Sequence, residues 1–227
     1  MTDTRPPASP TAADAADSGG ARALSRQGED RKATLLQHAE ALFEERGYAD
    51  TRMIDIARRA GVAKGLCYWY FESKEALFYE VILDMRERLR EAQRAATDPL
   101  DDPLAILYVG TVVTVRFIAQ HSRLYLLMNN VMGTPVLAGA VAESVQVHAR
   151  DAGSVLAEGQ KLGVVRGGED PVSLAYGNAG VVNHAVLLHA TGVMSSDVDA
   201  VAHFAARYVL HAVAWSSTAW LTTPALP

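Results

Sequence analysis

Residues 51–75 read TRMIDIARRAGVAKGLCYWYFESKE. Thr51 stands where its side-chain oxygen can cap a short helix, and Ile54, Ile56 and Ala57 supply that helix's apolar positions. Gly61 ends it, because a sharp helix exit commonly needs a positive φ that glycine adopts without strain. Val62 packs back, and a second helix is predicted from Ala63 to Tyr70. Ser73 caps the next helix, with Glu75 in its first turn, where the helix dipole favours an anion. Two short helices joined by a glycine turn make a helix-turn-helix, whose second helix enters the DNA major groove. On that helix Lys64 and Tyr68 are four residues apart, as are Gly65 and Trp69, so each pair shares one side. Ala63, Cys67 and Phe71 repeat the spacing on another side and are expected to face the core. The outward side then offers a cation, a bare backbone, a phenol and an indole, groups suited to phosphates and base edges.

Working outward, Leu35, Leu36, Ala39, Leu42 and Phe43 recur at helical spacing and predict a scaffold helix from Gln27 to Arg46, ended by Gly47. Residues 1–24 are too poor in large apolar groups to offset the entropy of ordering and are expected to be a disordered tail. Arg22 and Arg26 just before the first helix offer a basic arm for a minor groove, or simply solvated tail charges. After the motif, Phe78, Val81, Ile82, Met85 and Leu89 line one side of a helix from Lys74 to Ala96. Its Arg86, Arg88, Arg90 and Arg94 interleave with Glu87 and Glu91, which reads as a solvated face with ion pairs. Asp102-Pro103 and Asp170-Pro171 are helix starts, each an N-cap followed by proline. Ser122 and Pro135 open two further helices, and Ser196 or Asp197 opens the last. No alternating β pattern occurs, so the expected fold class is all-α, with nine or so helices and a break near residue 97.

Residues 31–77 resemble the DNA-binding domain of the TetR family of bacterial transcriptional regulators. The matching pieces are Leu35-Leu36, Ala39, Ala41-Leu42-Phe43, Gly47-Tyr48, Thr51, Ile56-Ala57, Ala60-Gly61-Val62, Lys64-Gly65, Tyr68, Tyr70-Phe71 and Ser73-Lys74-Glu75. Ala63, Leu66 and Cys67 depart from the family's usual residues. The resemblance implies a helix-turn-helix domain over 25–73, a connecting helix over 74–96, and a ligand-binding and dimerisation domain over 97–217, with a loose tail over 218–227. It also implies the DNA-contacting set. Thr51 and Lys74 would anchor phosphate, and Tyr68 and Trp69 would pack on the backbone. Lys64 and Gly65 would lie nearest the bases, Leu66 would touch a thymine methyl, and Arg52 would reach a base or phosphate.

The totals are compatible with this reading. The chain has 227 residues and a formal net charge of −5, which argues against indiscriminate coating of nucleic acid. Its basic residues concentrate near the motif, with 14 Lys/Arg against 13 Asp/Glu over residues 22–94 and 6 against 10 over residues 95–227. One cysteine excludes an intrachain disulfide. Cys67 is expected inward and inert rather than a redox switch. No h-region and no run of 18 apolar residues occurs, so no membrane association and a cytoplasmic location are expected. Histidine spacings of five and eight do not make a metal pattern, and no cofactor motif stands out. Without a nucleophile–base pair or phosphate loop, an enzyme has nothing to stand on.

The last two helices are too apolar to face water: Val181, Val182, Ala185, Leu188, Val201, Phe204, Ala205, Tyr208, Val209 and Ala212 form broad stripes. The resemblance implies that they build a homodimer interface, which would present two recognition helices to a palindromic operator in double-stranded DNA. It further implies a small-molecule effector pocket among the middle helices. Tyr108, Thr111, Arg116, Tyr125, Met128, Asn129, His148, Tyr176, Asn183 and His184 offer polar tips there on an apolar background. Arg116, between Val115 and Phe117, needs an anion if buried, either internal or on the ligand. The expected function is a repressor released by a lipophilic or aromatic effector. The alternatives are a DNA-organising or cell-cycle protein on the same fold, or a ligand-binding protein or enzyme that has lost DNA binding.

Overall fold

The computed structural model describes residues 26–130, 135–194 and 197–214, so the expected tails over 1–24 and 218–227 lie outside the described residues, as do Arg22 and the Arg26 side chain. Among the described residues there are nine helices: α1 (Arg26–Asp50), α2 (Met53–Arg59), α3 (Lys64–Tyr70), α4 (Lys74–Thr97), α5 (Pro103–Gln120), α6 (Ser122–Asn130), α7 (Pro135–Lys161), α8 (Pro171–Ala190) and α9 (Val198–Val213). The described structure is all-α, with one isolated antiparallel bridge between Val165 and Ala214.

Most starts and stops follow local chemistry. The Ser73 hydroxyl accepts from the Ala76 N–H at 3.1 Å, and Asp102, Asp170 and Asp197 accept from N–H groups of Leu104, Ser173 and Asp199 at 2.8–3.0 Å. Gly61 leaves α2 at φ +68, and the Val62 N–H returns to the Ala57 carbonyl at 3.0 Å. α1 breaks where the sequence expects: its span reaches Asp50, but Gly47 inside it is non-helical at φ 84, so the regular helix stops at the glycine and a short turn follows. Thr51 is corrected. The N-cap of α2 is Arg52, with no side-chain cap bond, while the fully buried Thr51 hydroxyl serves the Gly47 carbonyl at 2.7 Å and the Leu42 carbonyl at 3.2 Å. Ala63 is exposed as the N-cap residue of α3, whereas Cys67 and Phe71 are buried as expected.

Two apolar clusters organise the helices. The first gathers Leu35, Ala39, Leu42 and Phe43 of α1, Ile56 of α2, Cys67 of α3 and Phe78 and Ile82 of α4, and it takes in Leu124 of α6 and Leu137 of α7. Phe43, Tyr48 and Phe78 form an aromatic knot, with Phe43 and Phe78 edge to face at 4.9 Å. The second cluster is built on α5, which packs along α9, with α7 and α8 closing it. Among the described helices α5 has the length and apolarity to cross a bilayer, yet its buried residues form the centre of this core.

The arginines of α4 do more than line a solvated face. Arg88 pairs with Glu40 of α1 at 2.6 Å, while Arg86 and Arg90 reach Glu143 and Asp151 of α7 at 3.3 and 2.9 Å. α4 is therefore tied on one side to the scaffold of the motif and on the other to the second core.

Candidate nucleic-acid interface and interior cavity

The α3 face follows from what α3 buries. Cys67 and the capping Phe71 face inward, which turns Lys64, Gly65, Tyr68 and Trp69 outward and leaves Leu66 half-buried. Trp69 is 59% exposed and Tyr68 43%, high values for large aromatic side chains. The Lys64 ammonium lies 5.6 Å from the Tyr68 ring centroid, and Trp69 meets Tyr70 edge to face at 4.7 Å. Arg52 is exposed and pairs with Asp55 at 3.0 Å. Arg58, which sequence reasoning passed over, sits on the other side of Asp55 with its side chain 77% exposed. Its signal was available, since burial of Met53, Ile56 and Ala57 leaves positions 52, 55 and 58 on the outer side of α2. The Cys67 thiol is pushed up by burial, which keeps it protonated and unreactive.

Two expected phosphate anchors are placed differently. The Thr51 hydroxyl is sealed in the α1–α2 joint, so it is a tether rather than a contact. The Lys74 ammonium donates to the Tyr48 carbonyl at 2.7 Å and the Ala49 carbonyl at 3.3 Å, and lies 4.3 Å from the Tyr48 ring centroid. It straps α4 to the end of α1. Burial, helped by the hydrogen bond that Tyr48 donates to Glu75 at 2.9 Å, holds the Tyr48 hydroxyl well above its usual range and so protonated.

Between α4, α5, α7 and α8 lies a cavity of about 360 Å³, and next to it a more apolar lobe of about 150 Å³ bordered also by α6. Arg90, Thr114, His148, Ala179 and Val182 line both. Of the expected pocket residues, Thr111 and His148 line the larger space, and Tyr125, Met128, His148 and Asn183 the lobe. Burial holds the His148 imidazole below its ordinary value, hence neutral.

The remaining candidates go elsewhere. Tyr108 is buried in the second core with its hydroxyl 2.8 Å from His203 Nδ1. Arg116 is partly exposed and donates to Asp199 at 2.8 Å, so its anion is internal and it lies outside the cavity. Tyr176 and His184 are exposed on α8, and the Asn129 side chain lies outside the described residues. Sequence reasoning missed Arg86, Gln93, Thr114 and Asn178. Arg86, Arg90, Gln93 and Thr97 form one stripe of α4, readable only once it is known which way that helix turns. Gln93 donates to the Thr114 hydroxyl at 2.8 Å, and that hydroxyl donates to the Gly110 carbonyl at 2.7 Å.

The fold also brings Glu40, Glu44 and His121 within 4.8 Å of one another, which no histidine spacing could indicate. Arg88 stands against Glu40 at 2.6 Å, so the group reads as an ion-pair network joining α1, α4 and the α5–α6 turn.

Residues 35–81 match the family model described as "Bacterial regulatory proteins, tetR family". The chain is 35% identical over 92 residues to the probable acrEF/envCD operon repressor of Escherichia coli K12, covering 39% of this chain and 41% of that protein. It is 35% identical over 103 residues to the transcriptional regulator EthR of Mycolicibacterium smegmatis, covering 45% of this chain and 48% of that protein. These matches therefore span less than half the length of either relative. Over most of its length the chain shares its fold with SmeT, the repressor of the multidrug efflux pump SmeDEF of Stenotrophomonas maltophilia. The TM-score is 0.66 and the identity 22%, over 82% of this chain and 91% of that one.

Proposed function

We propose that this chain is a regulator of the TetR type, a homodimeric repressor that binds a pseudo-palindromic operator and is released by a small molecule held between α4, α5, α7 and α8. The observation that carries the reading is the α3 face, where Lys64, Gly65, Tyr68 and Trp69 stand out from a rigid buried scaffold. Groups of this kind serve phosphate and base-edge contact in the major groove. Arg52 and Arg58 extend the basic surface along α2, and in this reading Lys64 and Gly65 are the residues set nearest the bases.

An effector reaches DNA binding only if it binds two states with different affinity. The cavity is placed for that. Its lobe is walled by Ile82, Met85 and Leu89 of α4 and by Tyr125 and Met128 of α6, and the first two also belong to the core beneath the motif. A ligand that displaces α4 therefore displaces the motif. A cytoplasmic location follows from this reading.

The test is selection from random duplex DNA with purified full-length protein at stated salt. A palindromic consensus with half-sites about one helical turn apart or more is expected. Recovery of no enriched sequence overturns the proposal.

A further inference from the structure

We infer that the cavity takes an amphiphilic carboxylate, an apolar body carrying one anionic head, and that Arg86 selects the head. This rests on reading the cavity as the effector site.

The apolar lobe is lined by two guanidinium groups, Arg86 and Arg90, and by no carboxylate. Arg90 is well partnered, with Asp151 at 2.9 Å and Glu87 at 3.5 Å. Arg86 is not. Its terminal nitrogen has one contact, to Glu143 at 3.3 Å, which is long for a charge-assisted hydrogen bond. Its Nε is shut off from solvent and has no hydrogen-bond partner. A buried donor left unpaired costs more when it is charged than when it is neutral. The Nε has no surface on the lobe as it stands, so the guanidinium turns to meet a ligand, and a hydroxyl then recovers one hydrogen bond. A carboxylate recovers two, because the guanidinium edge bearing Nε and a terminal nitrogen matches its two oxygens. A cationic head would meet two arginines in the lobe, and the nearby acids, Glu143 and Asp151, are already held by them.

The rest of the lining fits an apolar body. Ile82, Met85, Leu89, Val141 and Val145 wall the lobe, and the adjacent space shares Thr114, His148, Ala179 and Val182 with it. His148 between the two spaces is neutral and neither attracts nor repels a charge. The acidic group that Arg116 suggested in the sequence is thus called for by a different arginine, while Arg116 itself pairs with Asp199.

The experiment is titration calorimetry on the full-length protein with sodium decanoate, 1-decanol and decylammonium chloride. Wild type, Arg86→Gln and Val145→Phe are compared, with circular dichroism confirming the fold of each. Decanoate should bind wild type more tightly than decanol, and decylammonium should not bind. Arg86→Gln should weaken decanoate by at least about tenfold while leaving decanol within about twofold. Val145→Phe, which fills the lobe, should weaken both. Absence of saturable decanoate binding, decanol or decylammonium binding as tightly as decanoate, or decanoate affinity unchanged in either variant overturns the inference. Operator binding is measured in parallel. A protein that selects an operator but ignores decanoate retains the regulator reading and loses this one. A protein that binds decanoate through Arg86 but selects no DNA does the reverse.

Discussion

Gly65 shows how a single residue separates folding from recognition. It lies inside α3 with no positive φ, and a Cβ added there would meet nothing within 4 Å. Nothing in the protein requires glycine, which costs a helix about 0.5–1 kcal/mol relative to alanine. Gly65→Ala should raise the melting temperature slightly and, if α3 reads DNA as proposed, weaken operator binding, because nothing within the chain occupies the space of the missing Cβ. Equal operator affinity in a binding titration would remove Gly65 from the interface. Lys74 is the opposite case. Its two hydrogen bonds and its place over the Tyr48 ring predict that Lys74→Met lowers stability by about 1–2 kcal/mol. Denaturant unfolding checks this, and an unchanged midpoint would return Lys74 to the phosphate role its sequence position suggested. Sequence position showed that residues 51 and 74 border the motif. It could not show that their polar groups turn inward, because that depends on which carbonyls α1 leaves unpaired near its kink at Gly47.

Among the elements, the joint between α1, α4 and the α5–α6 turn carries a pH dependence. The hydrogen bond to Glu40 holds the His121 imidazole above its ordinary value, against burial and against the charge of Arg88. Burial pushes the Glu40 carboxyl up, but hydrogen bonds from His121 and Arg88 outweigh it and hold the group below its ordinary value. Glu44, also on α1, faces the imidazole at 3.6 Å. The stability that His121 contributes is fully present below its unfolded value of about 6.5 and is lost as pH rises through the raised folded value. The contribution of Glu40 is present above the ordinary carboxylate range and is lost as pH falls through its lowered value. The joint is therefore firmest between the two. His121→Gln should flatten the decline in thermal stability above about pH 6.5. A melting series with the wild-type slope would take His121 out of the joint. The helices themselves were legible, because caps such as Ser73, Asp102 and Asp170 act within a few residues. The joint was not, because Glu40, Arg88 and His121 are brought together only by packing.

On the scale of the whole molecule, part of the α8 and α9 stripes stays uncovered. Val182, Ala185, Val201, Ala205 and Val209 are buried within the chain, whereas Phe204 is 46% and Tyr208 54% exposed, with Tyr176 and Leu187 on the same pair of helices. Large exposed apolar groups gathered on neighbouring elements mark an interaction surface. Tyr208→Glu should leave helicity unchanged, shift the protein to monomer in sedimentation, and abolish binding to a two-half-site operator. A dimer that persists in the variant would place the interface elsewhere. The sequence by itself determined the helical class, the helix-turn-helix and the outward set on α3, since each depends on spacing and capping within a few residues. Only the tertiary structure decided that the Thr51 hydroxyl and the Lys74 ammonium bond to carbonyls of α1, that Arg116 pairs with Asp199, and that Arg86 lines the cavity and has an unpaired Nε. Those assignments depend on how each helix is turned about its axis and on what stands opposite it, and both are set by the packing of residues far apart in the chain.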